Sequence, residues 1–137
     1  MRLFQALLGI VCIVAAALAG TEAQAQTVWG SPTVALKSGE TVELGEIYWV
    51  VRCRSLLTGT PEAEVLQGPS QVSVTVKQEM VLPRQQQCAS RVPGGKLMIT
   101  AKEIEDPSYT NLTVRITYKT KDGDRKFSHL YNLHLLP

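Results

Sequence analysis

The chain has 137 residues, with 14 Lys and Arg against 12 Asp and Glu, which gives a formal net charge of +2. A charge this weak, with both signs interleaved along the chain, argues against nucleic acid as a partner. The length suits one domain of ordinary size, which can bury a two-layer core without a dense set of disulfides.

The N-terminal segment predicts a secretory signal peptide over residues 1–25. Arg2 supplies a positive start, residues 3–19 form an apolar run, and residues 23–25 (Ala-Gln-Ala) match a cleavage site. The alternative is an uncleaved membrane anchor, but a spanning helix needs roughly 20 apolar residues. We therefore expect cleavage after Ala25 and an exported protein, periplasmic or extracellular, with no membrane contact afterwards.

The cysteines predict one disulfide in the exported chain. Of three cysteines, Cys12 lies in the predicted signal peptide, so Cys53 and Cys88 remain as a pair. Exported proteins meet oxidising conditions. A bridge that closes a loop of about 35 residues lowers the entropy of the unfolded chain, which stabilises the fold by on the order of 4 kcal/mol. The alternatives are a metal site or a catalytic thiol, and both lack the CxxC spacing typical of such sites.

The rest of the chain predicts short strands separated by Gly, Pro and Asp. Period-two alternation and β-branched residues recur, and no helical period persists. The run 47–54 is expected to be a buried strand, with Ile47, Trp49, Val51 and Cys53 on one face. Residues 78–95 are expected to form a long irregular connection that contains Gly94-Gly95. The other expected strands lie at residues 33–36, 41–44, 63–66, 72–76 and 96–102.

The last third of the chain predicts a β-hairpin. Apolar and polar residues alternate over residues 112–119 and again over residues 127–136. Asp122-Gly123 between these runs is typical of a type I′ turn, because both residue types tolerate positive φ.

About seven strands over residues 26–137 predict a single antiparallel β-sandwich domain. A small closed barrel is the alternative. The strand pattern resembles immunoglobulin-like sandwiches as an architecture, with one departure. Trp49 precedes Cys53, and Cys88 falls in the irregular connection, so the bridge is expected to pin a loop to a strand end instead of joining the sheet centres.

Catalytic and metal-binding signals are sparse. His129 and His134 are the only two histidines, and their odd spacing on one predicted strand places them on opposite faces. No serine lies in a G-x-S-x-G motif, and no phosphate-binding, dinucleotide or calcium motif occurs. We expect no metal, no cofactor and no enzymatic activity.

Four arginines are the candidate partner-binding residues. A Cys53–Cys88 bridge tethers the segment that contains Arg84 and Arg91 to the segment that contains Arg52 and Arg54. Guanidinium groups bind carboxylates and phosphates in bidentate geometry, so this group suits a protein or other anionic partner. The alternative is that these arginines serve only solubility at the strand ends.

These features predict an exported, non-enzymatic binding module with an unidentified partner. A second hypothesis is a secreted inhibitor of a hydrolase, such as a protease or a lysozyme, that inserts the 78–95 loop. A small hydrolase ranks third, because no sequence feature marks a nucleophile and its base.

Overall fold

The computed structural model describes residues 31–137. The predicted signal peptide and its cleavage site lie outside these residues. No helix with the length and hydropathy of a membrane span occurs in this part of the chain.

The described residues form two packed sheets and a small hairpin. The first sheet has the strand order β1-β9-β8-β5, the second has the order β2-β7-β6, and β3 pairs only with β4. Each large sheet keeps two edge strands, so the β-sandwich is confirmed and the closed barrel is wrong. The strands are β1 Thr33–Lys37, β2 Thr41–Ile47, β3 Val50–Val51, β4 Arg54–Ser55, β5 Glu62–Gln67, β6 Val72–Val81, β7 Val92–Ala101, β8 Ser108–Thr120 and β9 Gly123–Leu136.

Alternate residues of the central strands fill the space between the sheets. A strand points successive side chains to opposite faces. Every second residue is therefore buried over residues 95–101 of β7, 112–118 of β8 and 131–135 of β9. Full burial of one such side chain contributes about 1.5–3 kcal/mol. The largest completely buried aliphatic side chains are Leu36, Leu97, Ile99, Leu112, Ile116, Leu133 and Leu135.

Strand β1 is parallel to its neighbour, unlike the other pairs. It runs beside β9 from Thr33 opposite Asn132 to Lys37 opposite Leu136. The turn that follows joins the two sheets, because Ser38 N–H donates to Leu136 O and Gly39 N–H donates to Ala101 O. The chain then enters β2 in the second sheet. The edge strands β1 and β2 are therefore consecutive in the chain but belong to different sheets.

The expected strand over residues 47–54 is wrong. Strand β2 ends at Ile47, and the chain reverses at Arg52 and Cys53, where φ is 51° and 62°. The reversal makes the β3–β4 hairpin and leaves Val51 54% exposed. Neither Arg nor Cys is a typical turn residue, so the local sequence reads as a continuous strand.

The expected irregular connection over residues 78–95 is confirmed for residues 82–91 and wrong at both ends. Strand β6 continues to Val81 and β7 begins at Val92, so only residues 82–91 lie between them. Gly94 is buried inside β7, where Ile47 of β2 and Val81 of β6 pack closely against its Cα. A Cβ on Gly94 would lie 2.6 Å from Ile47 O and 2.6 Å from Val81 Cγ2. This glycine therefore marks close backbone packing in a strand and not a turn.

The C-terminal hairpin is confirmed, with a different turn. Strands β8 and β9 pair without a register shift from Ser108–Leu135 to Thr120–Gly123. Positive φ falls on Gly123, at 106°, and not on Lys121 or Asp122. The turn is therefore not type I′, and glycine follows the two central residues as in longer hairpin loops.

Two glycines give a matched test of this packing. We expect Gly94→Ala to lower the free energy of unfolding by about 1–3 kcal/mol, because Ile47 O and Val81 must move. A Cβ on Gly45 in β2 meets nothing within 4 Å, so Gly45→Ala should change stability by less than about 1 kcal/mol. Urea unfolding of the oxidised proteins measures both. Equal losses would contradict the close approach at Gly94.

Candidate functional site

A disulfide joins two loops at one end of the sandwich. Cys53 and Cys88 are bonded, with their Cα atoms 5.5 Å apart, so the predicted bridge is confirmed. It links the β3–β4 hairpin to the connection between β6 and β7. We call these two segments, residues 50–55 and 82–91, the braced tip.

The base of the hairpin is anchored to both sheets. The Trp49 ring lies 5.4 Å from that of Tyr118 on β8 and 5.3 Å from that of Phe127 on β9. On the other side, Ser55 Oγ donates to Pro93 O of β7 at 3.1 Å. Burial raises the pKa of Tyr118 to about 12, so its phenol stays protonated beside Trp49. The hairpin therefore spans the end of the sandwich from a fixed base.

Backbone strain concentrates at the bridge. Arg52, Cys53 and Gln87 are the non-glycine residues with positive φ in the described part of the chain, and each is a bridge cysteine or its neighbour. A left-handed conformation costs an L-residue roughly 1–2 kcal/mol. Such strain persists where the surrounding structure over-determines it, and it clusters at ligand-binding sites. The braced tip is therefore a candidate binding site on geometric grounds.

The second segment of the tip, residues 82–91, contains a short 3-10 turn at Arg84–Gln86. Gln86 and Cys88 N–H both donate to Pro83 O, at 3.2 Å each, and Pro83 and Cys88 are buried. Residues 84–87 are exposed. A buried proline and a buried half-cystine thus hold an exposed polar turn in place.

The four predicted arginines lie on the braced tip but do not share one cleft. Arg52 and Arg54 line a shallow cleft of ≈ 590 Å³ together with Val51 and Leu56. Arg84 lines a separate cleft of ≈ 440 Å³. Arg91 Nη1 donates to Met80 O at 3.4 Å. The structure therefore places Arg52 and Arg54 together in one cleft and Arg84 in another. Arg91 is held against β6.

The guanidinium groups of these arginines make no ion pair in residues 31–137. The ion pairs found there join Lys96 to Glu43 and to Glu79, and Lys119 to Glu62. The hydrogen bond with Glu62 raises the pKa of Lys119. The charges of these four guanidinium groups are thus not neutralised by a carboxylate within residues 31–137.

Sequence reasoning missed the apolar component of this surface. Val51 and Leu56 are 54% and 42% exposed, and they line the same cleft as Arg52 and Arg54. The sequence pattern places Val51 in a buried strand. Only the reversal at Arg52 and Cys53 exposes it, and no local residue type indicates that reversal.

The two histidines lie on opposite faces of β9, as expected. His134 stacks on the exposed Tyr109 ring at 4.2 Å, whereas His129 lines the clefts on the inner side. Burial lowers the pKa of His129, and its Nε2 atom is buried without a hydrogen-bond partner in the described residues. Within residues 31–137, no group of three or more His, Cys, Asp and Glu is placed to hold a metal.

No family model, curated protein or solved structure matches this chain.

The strained turn gives a testable stability change. We expect Arg52→Asn to raise the free energy of unfolding by about 0.5–1 kcal/mol, because Asn tolerates positive φ better than Arg. Arg54→Asn is the control, since Arg54 has no positive φ and lies in β4, where Asn is disfavoured. Urea unfolding under oxidising conditions measures both. A loss of stability in Arg52→Asn would contradict the assigned strain.

His129 should make the protein less stable in mild acid. Its folded-state pKa is lowered, so below about pH 6.5 the unfolded chain binds a proton that the folded chain does not. Stability therefore falls as pH drops through that value. We expect His129→Gln to lose less stability than the wild type between about pH 7.5 and pH 5.5. Identical pH profiles of the two proteins would contradict this assignment.

Proposed function

We propose that this protein is an exported, non-enzymatic binding module that holds an acidic protein surface at its braced tip. The observation that carries the proposal is the cleft in which Val51 and Leu56 lie beside the guanidinium groups of Arg52 and Arg54. Export is supported by the disulfide, which is typical of oxidising compartments, and by the predicted signal peptide.

An immunoglobulin-like topology is part of the proposal. It is supported by the order of the strands: the β8–β9 hairpin lies between β5 and β1, opposite a sheet of β2, β7 and β6. Successive strands change sheet between β1 and β2 and again between β5 and β6, as in Greek-key sandwiches. In such sandwiches, the loops at one end of the sheets bind the partner, and the braced tip is such an end.

The composition of the cleft favours a protein partner. Protein interfaces have an apolar centre, are enriched in arginine, and exclude water around the residues that contribute most. Val51 and Leu56 supply the apolar centre, and the adjacent guanidinium groups suit carboxylates. A shallow cleft with charged residues at its border fits a protein surface better than an enclosed small molecule.

The bridge favours tight docking because it orders the loops before binding. A loop that is already fixed loses less conformational entropy when it docks. Cys53–Cys88 and the contacts of Trp49 hold both segments of the braced tip on the sheets. The strain at Arg52 and Cys53 is then the cost of presenting this conformation.

Inhibition of a hydrolase is the second candidate. The observation that favours it is the exposed turn at residues 84–87, held between Pro83 and Cys88. The inserting loop is then residues 82–91, and not 78–95 as the sequence suggests. Measuring inhibition of a panel of proteases and lysozymes by the oxidised protein tests this candidate. Inhibition that Gln85→Ala and Gln86→Ala together abolish would support it over the first proposal.

Charge reversal tests the binding proposal. A partner is first captured by the oxidised protein from the exported fraction of its native host, and its affinity is then measured. We expect the double variant Arg52→Glu, Arg54→Glu to bind at least about tenfold more weakly, because repulsion replaces attraction to carboxylates. Lys37→Glu, Lys102→Glu is the control, since both lysines are exposed at the opposite end of the sandwich.

The outcome also separates the two halves of the braced tip. Weaker binding by Arg84→Glu, Arg91→Glu alone would contradict a contact at the Arg52–Arg54 cleft and place it on residues 82–91. An affinity that stays unchanged in both double variants, or that falls equally in the lysine control, would contradict the proposal.

A further inference from the structure

Strand β6 is a long and regular edge strand. It borders the three-stranded sheet and pairs with β7 over ten residues, Val72–Val81, without a register shift. The other edge strands of the two large sheets differ from it. Strand β1 has five residues, and the pairings of β2 and β5 each contain a register shift. Short edges and bulges keep a sheet from pairing with another molecule, so among residues 31–137 the edge of β6 is the one best suited to accept a strand.

This edge lies away from the place where the described chain begins. Pro32 O accepts a hydrogen bond from Asn132 N–H, so the chain enters the sandwich beside β9 on the side of β1. Strands β1 and β2 contact each other at that side, and β5 and β6 contact each other at the opposite side. The edge of β6 is therefore across the sandwich from Pro32.

The backbone groups of β6 alternate between β7 and the open edge. Lys102 N–H donates to Gln71 O at 2.7 Å, so residue 71 and every second residue after it bond on the β7 side. Pro93, which lies opposite Met80, has no N–H to donate, in agreement with this alternation. The N–H and C=O groups of the even-numbered residues 74–80 therefore point to the open edge.

The charges along this edge are complementary to themselves. Val76 packs against the core, so Lys77 and Glu79 project from the outer face of the sheet by the period of two. Lys77 lies directly opposite Lys96 and makes no ion pair within the described residues. A lysine on an edge strand repels a second strand unless a carboxylate faces it. In an antiparallel pair of identical strands, Lys77 of each strand can face Glu79 of the other.

We propose that a second copy of this chain pairs with β6, edge to edge and antiparallel, around a two-fold axis at Gln78. Gln78 of one copy lies opposite Gln78 of the other, and Val76 lies opposite Met80. These pairs exchange backbone hydrogen bonds, since their N–H and C=O groups point to the open edge. Met80 O has a lone pair for this bond beside the one that accepts Arg91 Nη1 at 3.4 Å. The pairing also covers the Met80 side chain, which is 48% exposed in the single chain.

The charges select this register from its neighbours. An axis at Lys77 would place the two Lys77 side chains opposite each other, and an axis at Glu79 would do the same with the two carboxylates. Like charges directly opposite each other destabilise a strand pair, whereas opposite charges stabilise it. The axis at Gln78 gives two equivalent ion pairs between Lys77 and Glu79, as a two-fold contact requires.

Two charge reversals test this register, because each should be monomeric alone and the two should pair when mixed. Lys77→Glu places carboxylates opposite each other and Glu79→Lys places ammonium groups opposite each other, so each should weaken self-association by at least about tenfold. A mixture of the two variants has opposite charges at both positions and should associate like the wild type. The double variant Lys77→Glu, Glu79→Lys restores the pattern within one chain and should do the same.

Sedimentation equilibrium of the oxidised exported protein measures the association. The wild type should form dimers between about 10 µM and 1 mM, because a contact of one strand pair is small. Lys37→Glu, the same charge change on the exposed side of β1, is the control and should leave the association unchanged. A wild type that stays monomeric, single reversals that associate like the wild type, or a mixture that associates no better than its components would overturn the proposal.

A proline tests the backbone pairing without a change of charge. Gln78 N–H points to the open edge, so Gln78→Pro removes bonds to the second copy and leaves those to β7 in place. We expect it to associate at least about tenfold more weakly, whereas Gln78→Ala, which keeps the N–H, should differ from the wild type by less than about threefold. Urea unfolding checks that both variants are folded. Equal association of the folded Gln78→Pro and Gln78→Ala variants would overturn the proposal.

Discussion

The long pairing of β8 with β9 is the constraint on which the rest of the structure depends. The two strands contain 13 and 14 residues and pair throughout without a shift. Their inner faces supply Leu112, Ile116 and Leu133 to the core, and β1 and β5 attach to their outer edges. A defect in this hairpin would therefore disturb both neighbouring strands and the layer that covers them.

The same hairpin determines where the candidate site lies. Tyr118 and Phe127, close to its turn, receive the Trp49 ring and fix the base of the β3–β4 hairpin. The Cys53–Cys88 bridge then holds that hairpin against the connection between β6 and β7. The braced tip is thus supported from both sheets, and this support sustains the strained backbone at Arg52 and the exposure of Val51.

The unequal lengths of β1 and β9 have a second consequence. Five residues of β1 pair with one end of β9, and the remaining edge borders the clefts around His129. The candidate site and these clefts therefore occur on one small sandwich.

The sequence by itself determined the all-β class, the C-terminal hairpin and the cysteine pair. Period-two alternation is a local property, as in residues 112–119, and it reports directly which face of a strand is buried. The opposite placement of His129 and His134 follows from the same period. Removal of the predicted signal peptide leaves two cysteines, so their pairing needs no tertiary information.

Only the tertiary structure decided where the strands end and which side chains are exposed. The reversal at Cys53 is held by a disulfide to Cys88, 35 positions away. Glycine is required at position 94 because Ile47 and Val81, on two other strands, leave no room for a Cβ. The parallel pairing of β1 likewise joins the two ends of the described chain. These features depend on contacts between distant segments, so no local pattern carries them.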